Sequence, residues 1–203
     1  MGENNMNMEN YANNKGLLRI YGNITGPIDE FISLFSALEE TYDLILIFNE
    51  FFNYDYERHE NIRLLKDLAR MESNNRRYYS QHYWDYRYMG SYESELILPE
   101  ERLIISKINF NSDGKFDLLG VSKILEQIRE AIKDFSYRNK NEKWEGRIRI
   151  LEQIKRAECF SEEEKRLLIN KIHNPLNRIK KSVEMKKIAE ARMMNPENLD
   201  NED

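Results

Sequence analysis

A long apolar stretch after Pro27 constrains the fold of this 203-residue chain more than any other feature. Thr25 or Gly26 can cap a helix there, and Pro27 suits its first turn. Apolar residues then keep helical spacing as far as about residue 53. One face carries Ile28, Phe31, Ile32, Phe35, Leu38, Tyr42, Ile45 and Leu46, and a second carries Leu34, Leu44, Phe48 and Phe51. Because such a helix must be covered on more than one side, we expect it to lie between a sheet and other helices.

Three short segments have the composition of strands. Residues 17–22 form a first β-like run, residues 95–98 a second, and residues 103–110 a third that ends at strong turn residues. Apolar residues fall on both faces of the third run, so we expect it to be largely buried and central in the sheet. A strand–helix unit therefore occurs twice, at 17–53 and at 103–135.

The rest of the chain has mainly helical spacing. We expect one helix from Tyr56 to Met71 and another from about Asp117 to Phe135, after which polar residues weaken the pattern. Ser161 and Glu164 have the spacing of a capping box, which predicts the start of a further helix. Pro175 should bend or divide that helix.

These elements predict a helix-rich α+β fold, in which a small sheet of about three short strands packs on long helices and a helical extension follows at the C-terminus. The two strand–helix units fit ferredoxin-like βα units as one arrangement. We expect a disordered tail over 1–16, an α+β core domain over 17–136 that includes an aromatic-rich segment, a helical region over 137–195, and a second disordered tail over 196–203.

Composition indicates the class of protein. With 40% hydrophobic residues the chain can bury a real core. No apolar run approaches the ~18 residues that cross a bilayer, and residues 1–16 lack the apolar run of a secretory signal. The single cysteine, Cys159, cannot form an internal disulfide, which fits a reducing cytoplasm. We therefore expect a cytoplasmic protein without membrane contact, and its Asn, Lys, Ile and Tyr content is typical of AT-rich bacterial or phage genomes.

The net charge of −5 conceals a strong asymmetry. Residues 1–60 carry eleven acidic and three basic residues, whereas residues 165–192 carry nine basic and two acidic residues. Two explanations stay open: a basic face for an anionic partner, or complementary ends that meet within or between chains. The candidate anion contacts are Lys180, Lys181, Lys186 and Lys187. An ordinary solvated helix end accounts for the same lysines.

The segment from Arg76 to Tyr92 has the most unusual composition in the chain. Its 17 residues hold six of the 12 tyrosines, one of the two tryptophans and three arginines. Tyr and Trp give a large contact area at low entropic cost, and Arg stacks on rings or binds anions. A helical segment would form a packing or dimer face, and a loop could stack on bases or bind a peptide. The candidate interaction residues are Arg76, Arg77, Tyr79, Tyr83, Trp84, Tyr86, Arg87 and Tyr88.

No pattern in the chain specifies catalysis, a metal or a cofactor. The histidines His59, His82 and His173 are far apart, and only Asp55 and His59 have a spacing that places both on one helix face. The sequence has no nucleophile elbow and no glycine-rich phosphate loop. The lone cysteine is best interpreted as a small buried hydrophobe. We therefore name no catalytic residue, no metal ligand and no cofactor.

These observations favour a non-enzymatic cytoplasmic interaction or oligomerisation module, a regulatory or adaptor protein that associates with itself or with a protein partner. The alternative is a nucleic-acid-binding regulator that uses the Arg/Tyr segment 76–92 and the basic helix 165–192. A second alternative is an enzyme whose catalytic residues are dispersed along the chain. The first two functions differ in whether the aromatic segment and the lysines contact protein or phosphate.

Overall fold

The structure, a computed structural model, describes residues 15–23, 26–53, 62, 65–66, 97, 101–109, 114–136 and 148–196. In order along the chain the elements are β1 (Lys15–Tyr21), α1 (Ile28–Asn53), β2 (Ile104–Asn109), β3 (Lys115–Val121), α2 (Ser122–Ser136), α3 (Arg149–Arg156), α4 (Glu162–Glu184) and β4 (Glu190–Met194). The predicted α+β class is confirmed. In these parts of the chain two strands that the sequence analysis does not predict occur, β3 and β4, and β1 begins two residues before the predicted strand.

The strands form one antiparallel sheet in the order β2-β3-β1-β4. β1 lies between β3 and β4, so that Leu18 has Leu118 on one side and Met193 on the other. Strands with neighbours on both sides bury their residues well, and five consecutive residues of β1 are buried. The strand order agrees with ferredoxin-like βα units, but α3 and α4 stand between α2 and β4, so that detail stays a prediction.

Among the strands that the structure describes, β2 lies at the edge of the sheet, so the expectation of a buried and central third strand is wrong. Of the described strands it pairs with β3 alone. Three of its residues, Ile104, Ile105 and Ile108, are exposed at the surface. Apolar residues on both faces are typical of a central strand. The pattern does not encode how many neighbours a strand has, and here β1 and β3 take the central places.

β3 and β4 also differ from the prediction. Asp117, the expected start of a helix, lies in the middle of β3, and α2 begins only at Ser122. The run from Phe116 to Val121 is too short for its periodicity to separate strand from helix. Pairing with β1 decides the matter, since the open edge of β1 needs hydrogen-bond partners. β4 likewise forms inside the predicted helical region 137–195, from residues without strong strand preference.

The helices pack on one face of the sheet. Leu18 and Ile20 of β1 and Leu118 of β3 point to that face and join the hydrophobic core. The fully buried hydrophobic residues of α1 are Ala37, Leu38, Tyr42, Ile45 and Phe48. α1 also packs along α4 and contacts α2. It therefore lies between the sheet and other helices, as its apolar faces predict.

α4 begins as predicted. The Ser161 hydroxyl accepts a hydrogen bond from the Glu164 N–H at 3.2 Å, and the Glu164 carboxylate accepts one from the Ser161 N–H at 2.9 Å. The helix continues through Pro175 to Glu184, so the proline does not divide it. Pro175 lies on the buried face beside Ile172, where core packing offsets the backbone hydrogen bond that proline cannot donate.

Other expected elements fall largely outside the described residues. The predicted helix from Tyr56 to Met71 is described only at residues 62, 65 and 66, of which Ile62 and Leu65 pack in or against the core. The predicted strand at 95–98 is described only at Ile97, which is buried. The two tails and the division of the chain near residue 136 stay predictions.

Candidate functional site

The aromatic-rich segment lies outside the described residues. Its candidate contacts therefore stay predictions from the sequence: Arg76, Arg77, Tyr79, Tyr83, Trp84, Tyr86, Arg87 and Tyr88. The described chain resumes at Ile97 and then at Glu101, directly before the edge strand β2. The segment therefore precedes β2 in the chain, and the structure describes β2 but not the segment.

The four candidate lysines at the end of α4 have different surroundings. Lys180 and Lys181 are exposed in the last turn, and the Lys180 Nζ lies 3.9 Å from Glu184. Lys186 is exposed and has a left-handed backbone, with φ at 59°. Lys187 is buried instead. Three of the four ammonium groups therefore lie where an anion could approach.

Lys187 is held by contacts within its own chain. Its ammonium group pairs with Glu30 of α1 and lies 5.4 Å from the centre of the Phe31 ring, a cation–π distance. A Cβ at Gly22 would overlap the carbonyl oxygen of Lys187, so that only glycine permits this approach. A buried ammonium needs a compensating charge, and Glu30 supplies it. The pair fastens the start of α1 to the loop that leads into β4.

The acidic and basic regions of the chain meet within one molecule. Arg178 of α4 pairs with Glu40 of α1, and Lys187 pairs with Glu30. Both acids belong to region 1–60, and both bases belong to region 165–192. Of the two explanations for the charge asymmetry, these pairs support complementary regions that meet inside the chain.

A buried ion pair lies on the sheet face opposite the helices. Arg19 of β1 and Asp117 of β3 are opposite each other in the ladder, and Arg19 donates two hydrogen bonds to the carboxylate at 2.8 and 3.0 Å. Both side chains are almost fully buried, and the planar guanidinium matches the carboxylate. Because each charge compensates the other, the pair fastens β1 to β3. We did not predict this pair from the sequence, although one charged residue inside each of two apolar runs is a readable signal.

Tyr42 is a second buried polar group with a structural role. Its hydroxyl donates to the Glu101 carbonyl at 2.7 Å and accepts from the Val121 N–H at 2.8 Å. Burial raises the pKa of Tyr42 to about 12, even though the Val121 hydrogen bond favours the ionised form. The phenol therefore stays neutral and joins α1 to the ends of β2 and β3. Its ring also requires glycine at position 120, where a Cβ would lie 2.8 Å from a ring carbon.

Among the described residues, the histidines and the cysteine considered as metal ligands or nucleophiles do not cluster. They contain no cluster of three or more His, Cys, Asp or Glu side chains that could hold a metal ion. Cys159 is a half-buried free cysteine between α3 and α4, packed against the core, and His173 is half-buried in α4. The pair Asp55 and His59 falls outside the described residues, as does His82.

Exposed isoleucines form the candidate site that the described part of the chain supports best. We call Ile28 and Ile32 of α1 and Ile105 and Ile108 of β2 the isoleucine patch. These four residues are 77%, 53%, 43% and 37% exposed, respectively. Single exposed aliphatic residues are ordinary on protein surfaces, whereas adjoining ones mark interaction sites. An interaction site therefore requires the α1 isoleucines and the β2 isoleucines to lie on one side of the molecule.

Phe35 connects the two halves of the isoleucine patch. Ile28, Ile32 and Phe35 follow one another at helical spacing along the outer side of α1. The half-buried Phe35 ring packs edge-on against Phe116 of β3, with ring centres 5.0 Å apart. Phe116 lies opposite Ile108 in the ladder between β3 and β2. The contact between Phe35 and Phe116 thus links the helix that carries Ile28 and Ile32 to the strand that pairs with β2.

A β-bulge gives the β2 half of the patch a common direction. Residues three apart normally point to opposite faces of a strand. The register shift between Ile105 and Lys107 adds one residue, so that Ile105 lies opposite Leu118 and Ile108 opposite Phe116, both on the core face of β3. Both isoleucines therefore project beside α1. The bulge and Lys107 also protect the edge of β2 from pairing with another strand. A partner would therefore contact the side chains of the patch rather than the backbone of β2.

Comparisons with known proteins complete the description of this surface. No protein-family model, no curated protein and no solved structure matches the chain. Among the described helices, none combines the length and the apolar character needed to cross a bilayer. The function must therefore be argued from the surface of this chain.

Proposed function

We propose that this protein is a non-enzymatic, cytoplasmic protein-interaction module that binds a protein partner through the isoleucine patch. The observation that carries the proposal is the exposure of four isoleucines, two on α1 and two on β2, on elements that the contact of Phe35 with Phe116 of β3 links. Burying apolar surface is worth about 25 cal/mol per Å², so a partner that covers these side chains gains affinity from each of them. Phe35 follows Ile28 and Ile32 on α1 and packs on Phe116, the ladder partner of Ile108, and this contact with the folded core favours a preformed site.

The aromatic segment belongs to the proposal as a second set of contacts. Tyr, Trp and Arg are the residue types that contribute most at the centres of protein interfaces. Segment 76–92 precedes β2 in the chain, and β2 supplies half of the isoleucine patch. In this proposal both regions bind protein, and the regulatory or adaptor role follows from the partner that they select.

Site-specific photo-cross-linking in the protein's host cells tests the proposal. A benzophenone amino acid at Ile32 should give discrete cross-linked protein adducts, because this residue lies within the patch. The same amino acid at Asn177, which is exposed on α4, is the matched control and should give none. Equal adduct patterns at both positions, or no adduct at Ile32, would contradict the proposal.

Binding to nucleic acid is the measurement that separates the main alternative. A phosphate-binding surface at Lys180, Lys181 and Lys186 would give affinity that falls steeply with salt. The proposal predicts no salt-sensitive binding of single-stranded RNA or DNA by the full chain. Tight binding that weakens when these three lysines are changed to Gln would favour the nucleic-acid-binding regulator instead.

A further inference from the structure

We infer that the ion pair between Glu30 and Lys187 is a latch that holds β4 on the sheet. When the latch is broken, β4 and the loop before it open as one unit while the other strands stay paired. β4 lies at an edge of the described sheet and, among the described strands, pairs with β1 alone. Of its five residues only Ala191 is buried, whereas five consecutive residues of β1 are buried. Segments that bury few apolar residues open locally, below the free energy of global unfolding.

The end of α4 fixes the position of Lys187. The Lys186 N–H donates to the Val183 carbonyl at 2.9 Å. The Lys187 N–H donates to the Ser182 carbonyl, also at 2.9 Å. This pattern is a Schellman motif, with Lys186 as the residue with a left-handed backbone. The motif turns the chain out of the helix, and the Ala189 N–H then donates to the carbonyl of the last residue of β1 at 2.7 Å. Backbone hydrogen bonds therefore hold the loop at both ends.

The Lys187 side chain connects this loop to α1. Its buried ammonium group pairs with Glu30 and faces the Phe31 ring. Gly26, between β1 and α1, lies against the same pair. A Cβ at Gly26 would be 3.1 Å from a Glu30 carboxylate oxygen and 3.2 Å from the Lys187 ammonium. Because the ammonium group is enclosed in this way, loss of the Glu30 charge leaves it buried without compensation. Conformations in which Lys187 reaches solvent are then favoured, and these require the loop before β4 to move.

Among the described residues, β4 itself contributes little buried apolar surface. Ala191 is buried but small, and Met193 is half-buried against the core. Arg192 is exposed and lies 5.2 Å from the centre of the Tyr21 ring. The large buried side chain is that of Ile188, which belongs to the loop. The loop therefore carries much of the attachment of β4, and the latch lies in the same loop.

Opening of β4 would free one edge of β1. β1 lies between β3 and β4 in the sheet. Loss of β4 leaves the backbone N–H and C=O groups on that side of β1 without strand partners, and such an edge can accept another strand. The latch therefore decides whether this edge of the sheet is closed or available.

Hydrogen exchange of the backbone amides in the full chain tests the inference residue by residue. In Glu30→Gln the buried ammonium group loses its countercharge, so the amides of β4 and of residues 187–189 should exchange at least about tenfold faster. The internal control is β2, the opposite outer strand, none of whose residues is buried. Its amides, and those that join β1 to β3, should keep their wild-type exchange rates.

Two further variants identify charge pairing as the cause. Glu30→Gln combined with Lys187→Met removes both charges, so it should return the exchange of β4 towards the wild-type rate. Glu40→Gln is the matched control, because it breaks the pair with Arg178, in which both partners are partly exposed. This control should leave the exchange of β4 unchanged relative to that of β2.

Selective acceleration in β4 that the double variant reverses would support the latch. Equal acceleration in all four described strands would overturn it, since the pair would then contribute only to global stability. Unchanged exchange in Glu30→Gln, or acceleration that the double variant does not reverse, would overturn it as well. Exchange of the wild type in low concentrations of urea decides the case even where a variant fails to fold. The β4 amides should show a lower free energy of opening than the amides that join β1 to β3, and equal values would contradict a separately opening unit.

Discussion

Tyr42 shows how one buried side chain can join three elements. Its hydroxyl satisfies a carbonyl before β2 and an N–H at the end of β3, two backbone groups that would otherwise be buried without partners. Removing the hydroxyl leaves both groups unsatisfied. We expect Tyr42→Phe to lower the free energy of unfolding by about 1–3 kcal/mol at neutral pH, measured by urea denaturation.

The raised pKa of Tyr42 predicts a dependence of stability on alkaline pH. The folded-state pKa is about 12, against 10.0 for the unperturbed group. The folded state therefore holds this proton more tightly, so the stabilisation is fully present below pH 10 and is lost as pH rises towards 12. Two pKa units correspond to about 2–3 kcal/mol. The wild type should lose that much more stability than Tyr42→Phe over this range, and parallel losses in both proteins would contradict the assignment.

Lys186 occupies a position that favours glycine. It follows the C-cap residue Met185, has a φ of 59°, and donates its N–H to the Val183 carbonyl. A left-handed backbone is costly for residues with a Cβ. Lys186→Gly should therefore stabilise the protein by about 0.5–1 kcal/mol. The control Lys181→Gly removes the same charge inside the last helical turn, and it should destabilise by up to about 1 kcal/mol.

α1 is the element that links the sheet with the helical layer, and its residues differ in how much they contribute. Leu38 is fully buried, so Leu38→Ala should cost about 2–5 kcal/mol. Phe35 is only half-buried against Phe116, so Phe35→Ala should cost less than the ~3–5 kcal/mol of a fully buried phenylalanine. Chemical denaturation of both variants measures the difference. A full core-sized loss at Phe35 would show that this ring is covered in solution.

Elements specified by local chemistry could be predicted from the sequence. α1 follows from its first-turn residues and apolar spacing, and α4 from the reciprocal bonds of Ser161 and Glu164. β3 and β4 could not be separated from helix, because their formation depends on pairing with β1, a contact far away in sequence. The edge position of β2 depends on the same distant pairing.

The candidate site could be predicted only in part for a similar reason. Ile28 and Ile32 have the spacing of a core stripe, and Ile105 and Ile108 have the composition of a buried strand. What makes them a surface is their place at the side of the sheet, where the described helices leave them exposed. Sequence identifies an apolar residue but not which neighbours cover it.

At the scale of the whole molecule, two ion pairs join the acidic region to the basic region, and one of them links α1 with α4. The pair of Glu40 and Arg178 is partly exposed, and such pairs contribute about 0.2–1 kcal/mol. A double-mutant cycle with Glu40→Gln and Arg178→Gln should give a favourable coupling of that size in the free energy of unfolding. The coupling should shrink as salt is raised. No coupling at low salt would show that the two regions are not energetically linked.

The central claim is that the isoleucine patch is where this protein contacts another protein molecule, and isoleucine-methyl NMR tests it most directly. With selectively labelled isoleucine methyl groups, spectra of the chain are recorded alone and with increasing amounts of the protein captured by cross-linking at Ile32. We predict that the signals of Ile28, Ile32, Ile105 and Ile108 shift or broaden as that protein is added. Signals of the buried residues Ile20, Ile45, Ile128 and Ile172 should stay in place. Patch signals that do not respond, or changes confined to other isoleucines, would contradict the account.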